Sequence, residues 1–297
     1  HPVYTNWLVT CPSFSPEHDE AIYKVATVPG PTMDNELCRD LFTHVVAASE
    51  ILGVDNDFRD RMKYLLSQLP PDQIGQGGQL QEWLEDVDAS IDTAHRHCSH
   101  LVGLYPGDQI SLYYTPELAA AAKHSVDLRR DANSALTPWS CAWRMNLRTR
   151  LQEGDAAWKN LLFLYGYNKT ATNLIFADNN RQLDAIFGRL AGIANFFVQC
   201  PREEIILLPA LPTALAHGRV SGLRASGAFV INDLTWTNGQ FTGATLISQA
   251  GHPGKIRSRW PLRILEDGNP LAIVPTIPTL YQFPTRAGAT YRLEPMK

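Results

Sequence analysis

Up to about residue 203 apolar residues return every three or four positions; from Ile205 onward they fall in short runs separated by turn residues. A change from helical to strand periodicity partway along one chain predicts two kinds of layer that cannot share one regular pattern. The expectation is therefore a mainly α chain with a β domain: helices over 1–203 and strands over 204–297. At 297 residues and 44% hydrophobic composition the chain can bury a sizeable core.

Within the first part, Leu37, Leu41, Val45, Ala48 and Leu52 lie at helical spacing and stop at Gly53, which predicts a helix over 33–52. Asp55 is placed to cap a second helix through 69, ended by Pro70 and Pro71. Thr115, Pro116 and Glu117 read as N-cap, first-turn proline and acidic first turn of a helix over 116–128. Further helices are expected over 139–151, 155–165 and 184–200, the last carrying Gly188 and Gly192 at a spacing that suits close helix packing. The stretches "EIILLPALP", "GRVSGLRASGAFVINDLTW" and "FTGATLISQ" predict strands, with turns at Gly218, at Asn238 with Gly239, and at Gly251.

Tight connections at Gly53 and Gly154 alternate with long ones before 33, over 70–115 and over 166–184, and long loops in compact domains usually carry function. Stacked helical hairpins with all elaborate loops at one end fit this alternation, provided 70–115 holds one more short helix. "SHLVGLY" at 99–105 is the candidate. Glu17, Glu82, His95 to His100, Trp139 and Asp184 then all precede alternate helices and share one end.

A net charge of -4 without a basic stripe argues against nucleic acid as partner. No apolar run reaches the roughly 18 residues of a membrane span, so no membrane partner is expected. Five cysteines without C-x-x-C spacing suggest neither a disulfide framework nor a zinc ribbon. Asn168, Lys169 and Thr170 form a glycosylation triplet of a kind common by chance. No cofactor is expected. His95, His97 and His100 have H-x-H-x-x-H spacing that could ligate zinc, yet no carboxylate or cysteine set completes a site, although Cys98 lies between them. The alternatives are a structural polar cluster and a sugar-holding one; imidazole and guanidinium give directed donors to hydroxyls, which favours sugar.

The segments "WLVTCPSFSPE", "GPTMDNELCRDLF", "GGQLQEWLED", "HRHCSHLVGLYPG", "PWSCAW", "RLQEGDAAW", "QLDAIFG", "LLPALP" and "GRVSGLRASGAF" run in order from Trp7 to Phe229. In sequence and spacing they resemble the C-terminal portion of glycoside hydrolase family 95, the inverting α-L-fucosidases. The resemblance implies the last part of an (α/α)6 barrel followed by a small β-sandwich-like domain. The helices read here make about seven of the barrel's twelve. The chain opens on His1, and an N-terminal β domain and the first barrel helices are expected upstream. That missing N-terminal part of the same polypeptide would be a partner, with a fucosylated oligosaccharide or glycan as substrate.

Inverting hydrolysis needs one acid to protonate the leaving oxygen and a second group to activate water, with carboxyls roughly 6.5–9.5 Å apart. On its residues alone Glu17 is a loop carboxylate; the resemblance matches it to the family's Ser-Pro-Glu glutamate and implies the general acid. Burial in the apolar loop "CPSFSPEH" is expected to raise its pKa. Asp184 alone reads as a helix cap; the resemblance implies the aspartate that orients or deprotonates water. Glu82 is the competing acid, read by preference as a pocket residue that hydrogen-bonds sugar hydroxyls. Trp83 beside it is expected to stack on a pyranose, and Trp139 to wall the same pocket, with a core tryptophan as the alternative.

Three departures stand against the family pattern: Ala185 and Ile186 replace Gly-Asn, Arg129-Arg130-Asp131-Ala132 replaces Arg-Gly-Asp-Gly, and Pro138 replaces Gly. Losing an amide beside Asp184 removes a hydrogen-bonding group. A hydrolase for terminal α-L-fucose, α-1,2-linked to galactose, is the first expectation. A relative that binds carbohydrate without turnover is the second, and a fragment without independent function the third.

Overall fold

A computed structural model describes residues 6–17, 27–87, 95–129, 137–167, 182–273, 275, 277 and 279–296. The triplet at 168–170 and the departure at 130–132 lie outside them. The described residues form six α-helices followed by a strand-rich region. The chain divides into two compact units, 1–140 and 141–297.

The first unit holds α1 (Thr32–Leu52), α2 (Asn56–Gln68) and α3 (Pro116–Leu128). α1 stops where the sequence says it should: Gly53 is left-handed (φ 67°) and its N–H donates to the Ser49 carbonyl at 2.9 Å. The two predicted caps are right in place and wrong in mechanism. Asp55 and Thr115 precede α2 and α3, but neither side chain caps; Asp55 is itself left-handed (φ 56°), and Thr115 Oγ1 accepts from Ser111 N–H at 2.8 Å. The stripe that made α1 legible is largely uncovered in this chain, with Leu41 at 59% and Leu52 at 71% exposure.

The helix expected at "SHLVGLY" is a single 3-10 turn, Ser99–Leu101. Its continuation fails because Gly103 N–H donates to Glu36 Oε2 at 2.9 Å, outside any helical ladder, and Pro106 follows soon after.

Glu36 is fully buried, and burial, reinforced by Asp72, pushes its carboxyl well above the ordinary range; Gly103 N–H and Arg39 act against this. Among the described residues its Oε1 has no hydrogen-bond partner. A raised folded pKa means the folded state holds the proton more tightly. The stabilisation is full below the unfolded value of about 4.3 and is lost as pH rises through the folded pKa. Glu36→Gln should therefore gain stability over the parent as pH rises, by about 2–4 °C in Tm per kcal/mol at this size. Calorimetry of the intact protein at pH 5 and pH 8 checks it: a Tm difference no larger at pH 8 than at pH 5 rejects the neutral-acid reading.

The second unit contains most of α4 (Pro138–Arg150), with α5 (Gly154–Tyr167), α6 (Leu183–Phe197) and the strands. Here the small-residue prediction is met. A Cβ at Gly188 would stand 3.1 Å from Ala142 Cβ, and one at Gly192 2.8 Å from Met145. Asn146 on α4 uses the closeness, donating to the Gly188 carbonyl at 2.8 Å and accepting from Asn195 at 2.9 Å.

The strands form two sheets. One has the order β1 (Val198–Gln199), β2 (Ile205–Leu207), β7 (Gly254–Arg257), β10 (Leu280–Phe283). The other runs β3 (Gly218–Val220), β5 (Phe229–Thr237), β6 (Gln240–Ser248), β11 (Thr290–Pro295), β8 (Leu262–Glu266), β9 (Asn269–Pro270), with β4 (Leu223–Ala225) also on β5. Both sheets bury side chains in one cluster that includes Leu207, Ile231, Trp236, Leu246, Ile256, Phe283 and Tyr291. The β5–β6 hairpin turns at Asn238 (φ 51°) and Gly239 (φ 71°), the pair of positive φ values a two-residue hairpin needs. Gly218 opens β3 instead of making a turn; any Cβ there would lie 2.3 Å from the Trp236 indole, so the glycine serves a close approach.

Candidate active site

In the first unit the loop 10–17 is fastened at several points. Thr10 and Ser13 hydroxyls both donate to Asp34 Oδ2 at 2.6 Å, in the first turn of α1. Ser15, fully buried, donates to Glu82 Oε1 at 2.5 Å, and Ser99 donates to the Pro16 carbonyl. Ser15 and Pro16, immediately before Glu17, are thus held from two sides.

Glu17 itself is outward. Its side chain is 56% exposed, it accepts from the Arg96 guanidinium, and its Oε2 lies 3.2 Å from His97 Nε2. The burial expected from the apolar neighbours is not met: Phe14 also points outward, at 46% exposure, and among the described residues Arg96 and His97 reach Glu17. Burial pushes the His97 imidazole below its ordinary value, Glu17 pulls it up, and Arg96 pushes it down. His97 stacks on His95 (centroids 5.2 Å, 25°) and meets Trp139 edge-on (4.6 Å, 61°).

Glu82 is the buried carboxylate, at 1% exposure. Besides Ser15 it accepts from Arg129 at the end of α3, and its Oε2 lies 3.3 Å from His100 Nδ1. Those neighbours engage both carboxylate oxygens. Trp83 is 5% exposed, so the indole expected to stack on a pyranose packs inside the unit. The three histidines divide between two carboxylates, His97 facing Glu17 and His100 facing Glu82. Among the described residues no group of three His, Cys, Asp or Glu side chains is placed to hold a metal ion.

Seven of the eight expected site residues thus lie in the first unit: Glu17, Glu82, Trp83, His95, His97, His100 and Trp139. Asp184 belongs to the second unit. It sits in the first turn of α6 behind an N-cap at Gln182, is exposed, and accepts from Ala185 N–H at 3.0 Å. Ala185 is fully buried. Sequence reasoning did not single out Ser15, Ser99 or Arg129 as site residues. Arg129 alone carries a signal, a cation at the C-terminal end of a helix.

The family model described as the glycosyl hydrolase family 95 catalytic domain matches residues 1–197, and that of the glycoside hydrolase family 95 C-terminal domain matches 199–293. Alpha-L-fucosidase 2 of Arabidopsis thaliana is 33% identical over 258 residues, covering 82% of this chain and 30% of that protein. Probable alpha-fucosidase A of Aspergillus niger is 29% identical over 252 residues, 78% of this chain and 31% of that protein. A protein of the same description from Aspergillus oryzae is 27% identical over 261 residues, 78% of this chain and 35% of that protein. The chain thus spans about a third of the length of the curated relatives it matches. Two family models in tandem cover nearly all of the sequence, and the chain belongs to glycoside hydrolase family 95.

Proposed function

We propose that this chain supplies the catalytic carboxylates of a hydrolase that removes terminal α-L-fucose, α-1,2-linked to galactose, from oligosaccharides and glycans with inversion. The observation that carries the reading is Glu17: an outward carboxylate on a loop fixed from behind, flanked by Arg96 and by His97, against which Trp139 packs. Glu17 protonates the glycosidic oxygen. His95, His97 and Trp139 hold the fucose, the imidazoles through its hydroxyls and the indole against its carbon face. The sugar then covers Glu17 and displaces water from it. Asp184, in the first turn of α6, orients the attacking water. The uncovered stripe on α1 is, in this reading, the seat of upstream barrel helices.

Direct attack by water forms no covalent sugar intermediate, so the first product of an α-fucoside is β-fucose. Proton NMR of sugar freshly released by the intact protein tests this, and α-fucose appearing first rejects inversion. The buried Ala185 beside Asp184 favours the second reading, a relative that binds carbohydrate without turnover. Calorimetric binding of a fucosylated oligosaccharide with no fucose released would select it.

A further inference from the structure

Glu82 is the carboxylate with the most contacts in the candidate site and the least access to it. We propose that it is a positioning residue, holding the loop that presents Glu17 and touching neither the sugar nor the leaving group; the inference rests on the reading of Glu17 as general acid.

Geometry argues for this at three levels. At 1% exposure the Glu82 side chain is shut off from solvent in its unit. Its oxygens are divided between partners: Oε1 takes the Ser15 hydroxyl at 2.5 Å, and Oε2 takes Arg129 and faces His100 at 3.3 Å. Ser15 stands two residues before Glu17, and the intervening Pro16 carbonyl accepts from Ser99, the neighbour of His100. Glu82 therefore joins the acid's loop to the histidine segment from which Arg96 and His97 reach Glu17. The segment carrying Glu82 is itself anchored, since Thr32 N–H donates to the Glu82 carbonyl at 3.1 Å and the Thr32 hydroxyl to the Gln81 carbonyl at 2.7 Å. A glutamine at 82 keeps the shape but removes the charge that Arg129 donates to, and its NH2 can face only Ser15, because the guanidinium has no acceptor while the hydroxyl can reverse and accept. The link between the acid's loop and Arg129 is thereby weakened from a charge-assisted pair to neutral hydrogen bonds.

The test is made in the full-length protein with Glu82→Gln and Ser15→Ala, on a fucosylated oligosaccharide and on an aryl fucoside whose leaving group needs no proton. Misplacing the acid should lower kcat on the oligosaccharide by about 10²-fold, leave KM little changed and spare the aryl fucoside. In a Glu17→Gln background Glu82→Gln should add little, because the group it positions is gone. Ser15→Ala should give the same pattern in weaker form. A rise in KM on both substrates would show that Glu82 holds hydroxyls, and equal loss of kcat on both would show a scaffold role only; either overturns the proposal. Leaving-group dependence from Glu82→Gln and none from Glu17→Gln would instead make Glu82 the acid and remove the reading beneath it. If Glu82→Gln does not fold, Ser15→Ala decides, and unchanged kcat on the oligosaccharide rejects the positioning role.

Discussion

Glu17→Gln in the intact protein is expected to slow fucose release from a natural oligosaccharide by about 10²- to 10⁴-fold, the usual loss when general-acid assistance goes. The saccharide that loses its fucose leaves as an alkoxide unless it is protonated in the transition state, whereas a nitrophenolate leaves readily without help. The same variant should therefore keep most of its rate on an aryl fucoside. KM should change little, because Glu17 is held by Arg96 and His97 and not assigned to sugar recognition. Steady-state rates on the two substrates measure this directly. Equal losses on both would mean that Glu17 holds the sugar or the local fold and does not donate the proton.

Asp184→Asn should lower kcat by a similar order, about 10²- to 10⁴-fold for a lost general base, while binding survives. The substitution preserves shape and removes the carboxylate proposed to orient water. Unlike Glu17→Gln, it should affect aryl and natural substrates alike, since water attacks both. Asp184 now accepts a hydrogen bond from its own neighbour Ala185, whose methyl is fully buried. Restoring glycine at 185 and asparagine at 186 places an amide beside the carboxylate and should raise kcat more than it lowers KM. Loss of sugar binding in Asp184→Asn, followed by titration calorimetry, would assign the residue to recognition.

The helices were legible because each carries its own signal: apolar spacing in α1, proline and acid at the start of α3, and two glycines in α6. What escaped were features decided by distant residues. The helix expected at 99–105 fails through a carboxylate on α1 that captures the Gly103 amide, 67 positions away. Gly218 looked like a turn because nothing nearby in sequence announces the Trp236 ring that needs the space. Periodicity did not foretell that the Glu82 carboxylate would be taken by Ser15 and Arg129, or that Trp83 would turn inward. The residue types of the site were readable from "SPE", "QEW" and "HRHCSH", and the resemblance ordered them. Their division into an outward pair around Glu17 and a buried group around Glu82 is a three-dimensional fact with no local trace.

The contact between Gly188 and Ala142 sets more than the packing of two helices. Asp184 lies one turn ahead of Gly188 on α6, so its carboxylate rides on a rod whose distance from α4 is fixed by a missing methyl group. At 3.1 Å from Ala142 Cβ, an added methyl has no flexible side chain to push aside, and the whole helix must move by a few tenths of an ångström. Gly192 is more forgiving, because the atoms it meets belong to Met145 and can swing away. Two glycines four residues apart therefore act differently: one is a hard stop that calibrates where the carboxylate sits, the other a soft bearing that lets the helix settle against it.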